Sequence, residues 1–84
     1  MLLDELHAKL IELSLKLKRY MRGIEAIDVV SNSKYGYVVV LTAMEDDLRA
    51  ELLASKLKDL GGTQVFPDLW VFGPLMKQEE GKAK

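Results

Sequence analysis

The chain has 84 residues, a formal net charge of −1, 49% hydrophobic residues and 30% charged residues. A chain of this length has room for one hydrophobic core, and no stretch approaches the roughly 18 apolar residues of a membrane span. With no Cys and a single His, it lacks the side chains of a disulfide framework or a zinc cluster. A net charge near zero gives no general attraction to nucleic acid or to anionic lipid.

The beginning of the chain predicts a cytoplasmic protein, because it lacks the basic start and the small-residue cleavage site of a secretory signal. The Lys and Glu content, the single Asn and the absence of Cys also suit a thermophilic source. A core this small supplies little stability, and neither disulfides nor a metal cluster can add to it. We therefore expect a homo-oligomer, with no membrane partner.

The first segment has the apolar periodicity of an amphipathic helix. Acidic residues at its start and basic residues at its end complement the helix dipole, and Gly23 can close it. The pattern predicts a helix from about residue 2 to residue 22. Its apolar stripe, with a spacing of three and four residues, consists of Leu3, Leu6, Leu10, Leu13, Leu17 and Tyr20.

Two β-branched segments follow Gly23. Residues 24–30 (IEAIDVV) and 37–42 (YVVVLT) are separated by a polar stretch with glycine, which predicts a β-hairpin. Residues 38–41 (VVVL) are apolar at every position rather than at alternate ones. This run predicts a central strand that is covered on both faces, so the second face of the sheet needs a cover.

A second helix is predicted from about residue 44 to residue 60. Thr42 followed by Glu45 has the spacing of a capping box, and Gly61 with Gly62 ends the segment. Residues 63–72 (TQVFPDLWVF) are strand-like on both sides of the proline, which favours a hairpin over one bulged edge strand. Residues 75–84 are mostly polar and predict a disordered tail.

Together these segments predict one two-layer α+β domain over residues 1–74. Its order is α-β-β-α-β-β, with an antiparallel sheet packed by two helices.

No group of residues predicts catalysis. His7 lies beside the leucine stripe without a neighbouring carboxylate and nucleophile, which is typical of a structural or surface histidine. Glu45, Asp46 and Asp47 satisfy a helix start without a metal ion, and Gly61 with Gly62 follows a helix instead of preceding one. We therefore expect a non-enzymatic protein with no cofactor and no metal site.

The first helix carries more apolar residues than one stripe needs. If the stripe packs on the sheet, Ile11, Leu15, Leu2 and Met21 project from other sides of the helix, where a monomer exposes them to water. This excess predicts a protein-interaction module that forms a homodimer, through an outer helix face or an edge strand. The same surface could bind another protein.

Nucleic-acid binding is the alternative function. The basic residues that suggest it are concentrated near the end of the first helix, where they also complement the helix dipole. They are Lys16, Lys18, Arg19 and Arg22, with Lys34 in the hairpin loop.

The chain resembles two families of binding modules. Its order of helix, hairpin, helix and hairpin is similar to the roadblock/longin scaffold, whose modules pair and dock on GTPases. The segments GIEAIDVV, YGYVVVLTA, DDLRAELLASKL and LGGTQV resemble the ligand-binding, dimer-forming effector domain of Lrp/AsnC-type regulators. The chain lacks that domain's leading strand, its Gly-x-x-Asp and any DNA-reading helix-turn-helix. Each resemblance implies a binding module and assigns no functional residue.

Overall fold

A computed structural model of the chain describes residues 2–28, 33–43 and 47–77. Its elements are α1 (Leu3–Lys16), β1 (Met21–Ile27), β2 (Tyr35–Thr42), α2 (Asp47–Asp59), β3 (Thr63–Phe66) and β4 (Leu69–Met76). The strands form one antiparallel sheet in the spatial order β1-β2-β4-β3. The predicted α+β class and element order are confirmed. None of the described helices is long and apolar enough to cross a membrane.

Both helices pack on the same face of the sheet. Side chains alternate between the two faces of a strand, and on β2 the residues at even positions are buried beneath the helices. Each fully buried Leu, Val or Phe side chain stabilises such a core by about 1.5–3 kcal/mol. The buried hydrophobic cluster consists of Leu3, Leu6, Leu10, Tyr20, Met21, Val38, Val40, Leu53, Leu57, Trp70 and Phe72.

The first helix is shorter than predicted. It ends at Lys16, and Gly23 does not close it but lies in β1, beside a shift of register against β2. The Tyr20 N–H donates to the Leu17 carbonyl at 2.8 Å, and the Tyr20 carbonyl accepts from the Ala43 N–H at 2.9 Å. Burial of Tyr20 and Met21, together with strand pairing, therefore replaces the last turns of the predicted helix.

The predicted first hairpin is present with different bounds. β1 begins at Met21 instead of residue 24, and β2 begins at Tyr35 instead of residue 37. Residues 29–32, where the predicted first strand ends, lie outside the described part of the chain. Lys77 donates through its Nζ to the Asp28 carboxylate at 2.7 Å and through its N–H to the Lys34 carbonyl at 2.9 Å. These bonds attach the hairpin to the end of β4.

The second helix ends at the glycine pair, as predicted. The Gly62 N–H donates to the Leu57 carbonyl and the Gly61 N–H donates to the Lys58 carbonyl, each at 2.9 Å. Gly61 has a φ of 98°, so the two bonds form a Schellman motif. Residues 44–46 lie outside the described ranges, and with them the predicted capping partner Glu45.

The last two strands form a hairpin around Pro67 and Asp68, which confirms the favoured prediction. β4 then continues past the domain boundary predicted at residue 74, because Leu75 pairs with Gly36 and Met76 pairs with Tyr35. The extension is only two residues long and is followed by a polar sequence, so no periodic pattern predicted it. Residues 78–84 of the predicted tail lie outside the described part of the chain.

We expect Gly62→Ala to destabilise the fold by about 1–3 kcal/mol through overpacking. A Cβ at this position would lie 2.6 Å from Cζ of Phe72 and 3.1 Å from the Leu57 carbonyl oxygen. The matched control is Gly23→Ala, since nothing lies within 4 Å of its added Cβ. Urea unfolding at one protein concentration measures both variants, and equal losses of stability would contradict the packing of Gly62 on Phe72.

Candidate binding surfaces

One face of the sheet carries apolar side chains and no described helix. On β2 the odd positions point away from the helices, and the strand register aligns Val39 with Val71 and Leu41 with Leu69. On β1, Ile27 is paired with Tyr37. We call this surface the open face, and its apolar members are Ile27, Tyr35, Tyr37, Val39, Leu41, Phe66, Leu69, Val71 and Met76.

The open face is predominantly apolar. Phe66 is 61% exposed and Tyr35 is 46% exposed, whereas the central members are half-buried because neighbouring side chains on the sheet shield one another. Glu25, which pairs with Val39, is the only charged residue among the register-paired strand positions on this face. Arg22 lies at the register shift of β1 and has no register partner in β2. Strands about 4.8 Å apart with about 3.3 Å per residue give it a footprint of roughly 400 Å². Exposed apolar patches of this size are often functional.

The sequence indicated that this surface needs a cover but did not identify most of its members. The apolar run at residues 38–41 predicted burial on both faces of β2, and helices cover one face in the described part of the chain. The additional signal is in β4, where buried Trp70 and Phe72 alternate with half-buried Leu69 and Val71. Two adjacent central strands with this pattern define an apolar surface on each side of the sheet.

The predicted interaction residues on the first helix do not form one surface. Ile11 is 43% exposed and Leu15 is 72% exposed, as expected for residues on the outer side of α1. Leu2 precedes the helix and forms a parallel bridge with Met76. Met21 lies in β1 and is buried in the core, so its predicted place on the helix surface is wrong. The error has the same cause as the overestimated length of α1.

A cleft of about 180 Å³ runs between α1 and the outer side of β1, and we call it the edge cleft. Ile11 and Ser14 line it from the helix, and Met21, Arg22, Gly23 and Ile24 line it from the strand. The Ser14 hydroxyl donates to the Ile11 carbonyl at 2.7 Å. The cleft therefore combines an apolar helix side with the backbone of a strand at the margin of the sheet.

The basic residues are divided between two ends of the molecule. Lys16 ends α1, and Lys18 and Arg19 are exposed in the turn that follows. Arg22 is in β1 and forms an ion pair with Asp68 at 2.5 Å. Lys34 lies at the opposite end of β2, separated by a strand length of roughly 23 Å. Lys34 therefore does not join the other basic residues in one patch.

A groove of about 350 Å³ separates the two helices. Lys9, Glu12 and Lys16 line it from α1, and Lys56 and Asp59 line it from α2. Because both signs of charge alternate along the groove, it has no clear preference for an anion or a cation.

The residues considered for catalysis remain separate. His7 is half-buried on α1, and the described residues contain no group of three or more His, Asp or Glu that could hold a metal ion. The side chains of Glu45, Asp46 and Asp47 lie outside the described part of the structure. Gly61 and Gly62 close α2 through their backbone amides.

Comparison with known proteins gives no relative. No protein-family model matches the sequence, and no curated protein or solved structure matches it.

The ion pair of Arg22 and Asp68 connects β1 with the turn between β3 and β4 and is about half exposed to solvent. We expect a double-mutant cycle of Arg22→Ala and Asp68→Ala to give a coupling of less than about 1 kcal/mol, which falls with added salt. Urea unfolding at low and high NaCl measures it. The same cycle on Asp28 and Lys77 is the control, because that pair is similarly exposed. A larger coupling energy that does not change with added salt would contradict the interpretation of this ion pair as a weak, solvent-screened interaction.

Proposed function

We propose that the chain is a non-enzymatic, self-associating protein-interaction module, and that two copies stack through their open faces. The observation that carries the proposal is the open face itself: nine apolar side chains across the sheet, one carboxylate, and no described helix above them. Burial of this surface lowers the free energy of the assembly, because removal of apolar area from water stabilises it by about 25 cal/mol per Å².

The shape and charge of the open face favour a second copy over other partners. Two sheets stack face to face at about 10 Å, and flat apolar faces interdigitate in this way in β-sandwiches. The groove between the helices and the edge cleft both lie on the helix side of the sheet, away from the open face. A nucleic acid requires positive charge, whereas the charged residue among the register-paired positions of this face is Glu25.

The area of the open face is small, as in weak and reversible dimers. Stacking of two such faces covers roughly 800 Å² in projection, and upright side chains increase the accessible area beyond the footprint. Specific complexes begin at about 1,200 Å² of total buried surface, and those near this limit are weak or transient. A dimer formed by the open face alone is therefore expected to dissociate on dilution.

The order of the elements supports the proposed resemblance to the effector domain of Lrp/AsnC-type regulators. Effector domains of this type are ferredoxin-like, with the order β-α-β-β-α-β. Transfer of the first strand to the C-terminal end gives the order α-β-β-α-β-β, which is the order found here. The leading strand that the sequence lacked then corresponds to β4. The resemblance implies a dimer-forming module, in agreement with the proposed role of the open face.

We expect Val39→Glu to weaken association through the open face, because a carboxylate at its centre loses water when two faces stack. Light scattering over a range of concentrations measures the loss of mass. The control is Val65→Glu, the same substitution at a half-exposed position of β3 beside its register shift. Circular dichroism verifies that both variants fold. If Val39→Glu folds and keeps the mass of the wild type, the open face does not mediate assembly.

Nucleic-acid binding is the second proposed function, and Lys16, Lys18 and Arg19 are the residues that favour it. They are exposed around the end of α1, and none has an ion pair within the described residues. If the site is real, Lys18→Glu with Arg19→Glu lowers affinity for DNA or RNA at least tenfold, and wild-type affinity falls steeply with salt. Lys34→Glu is the control at the distant end. Fluorescence anisotropy without a salt-dependent signal would exclude this function.

A further inference from the structure

The two edge strands of the sheet, β1 and β3, differ in how well they are protected against pairing with a further strand. β3 has only four residues and is followed directly by Pro67. These features are typical of an edge that avoids further pairing. β1 has seven residues and pairs on one side with β2, and no described residue pairs with its other side. The outer N–H and C=O groups of β1 are therefore available to a further strand.

We propose that β1 pairs with β1 of a second copy, antiparallel about a two-fold axis. The two sheets then form one continuous sheet, and the two α1 helices lie side by side above the seam. This interface is separate from the open face and does not depend on it, because it uses the edge of the sheet instead of its surface.

The charges along β1 are complementary to themselves in the antiparallel direction. Exposed Lys18 and Arg19 precede the strand, and exposed Glu25 and Asp28 lie towards its end, where Asp28 also forms an ion pair with Lys77 of the same copy. In a two-fold antiparallel pair, the positive beginning of each strand faces the negative end of the other. A parallel pair would place like charges together. An unrelated extended peptide does not carry this complementary pattern of charges. The charges of β1 therefore favour a second copy as the partner.

One register fits the strand best. Overlap of all seven residues of β1 places Ile24 on the two-fold axis, opposite Ile24 of the second copy. Glu25 then faces Gly23 of the second copy instead of its own equivalent. A shift that puts Glu25 on the axis brings two carboxylates into direct opposition, which is unfavourable. Because Ile24 packs towards the core, this register also keeps the helices of both copies on the same side.

The exposed apolar residues of α1 are placed to close the seam. Ile11 lines the edge cleft next to Ile24, and Leu15 follows one turn later on the same side of the helix. Pairing of the β1 strands brings both copies of Ile11 and Leu15 together above the new strand pair. A single interface would thus bury two features of the monomer, the outer side of β1 and the apolar residues beside it.

Disulfide trapping tests the register directly, since the chain contains no Cys. Directly opposed residues in an antiparallel pair have Cα atoms about 4.5–5.5 Å apart, within the reach of a disulfide. We expect Ile24→Cys to form a covalent dimer with oxidised glutathione as the oxidant, and dithiothreitol to reverse it. Glu25→Cys is the control, because its two copies lie two residues out of register. Equal cross-linking of the two variants, or none by Ile24→Cys, would overturn the proposal.

A second pair of variants tests the helices without a change in the strand. Ile11→Glu with Leu15→Glu places four carboxylates at the seam, and we expect it to lower the association constant at least tenfold. Leu48→Glu with Leu52→Glu is the matched control, since these leucines of α2 have the same spacing and are 79% and 48% exposed. Analytical ultracentrifugation measures both. An unchanged mass for the α1 variant, or an equal loss for the α2 variant, would argue against the seam.

The same measurements separate this interface from the open face. If both exist, Val39→Glu leaves dimers that Ile24→Cys still cross-links, and the α1 variant leaves dimers that Val39→Glu dissociates. If only the edge pairs, Val39→Glu has no effect while the cross-link forms. If only the open face stacks, the cross-link fails while Val39→Glu lowers the mass. The last result overturns the edge proposal and leaves the proposed function intact.

Discussion

The fold depends on one strand that is apolar on both of its faces. β2 lies between β1 and β4, and its side chains alternate between the two sides of the sheet. Val38 and Val40 lie beneath α1 and α2 and form the centre of the core, while Val39 and Leu41 form the centre of the open face. Both described helices lie on one side of the sheet, so no described helix covers the other side. The strand that stabilises the monomer therefore also produces an exposed apolar surface.

The two proposed interfaces use different parts of the sheet and are geometrically compatible. Stacking of open faces adds a layer below the sheet, whereas pairing of β1 extends the sheet sideways. A chain with two different two-fold interfaces closes into an assembly of four copies when the two axes intersect at right angles, a common symmetry of soluble oligomers. Such an assembly buries the surfaces that a core of this size leaves exposed. The groove between α1 and α2 stays on its outer side.

The corrections to the predicted elements share a physical cause. The periodic leucines of α1 continue to Leu17, but Tyr20 and Met21 gain more by burial and by pairing with the residues around Thr42. At the other end of the chain, residues 75–76 have no periodic pattern, yet their backbone pairs with Tyr35 and Gly36. In both places, hydrogen bonds between distant segments decide the structure, and local patterns contain no information about such partners.

The sequence by itself determined the element order, the leucine stripe of α1, the glycine end of α2 and the need for a cover on both sides of β2. These features depend on short-range periodicity and on the conformational freedom of glycine, which are properties of neighbouring residues. Only the tertiary structure decided where α1 ends, how far β4 extends, which side of the sheet the helices cover and which strands form its edges. Those features depend on strand order and register, which bring residues together that are far apart in the chain.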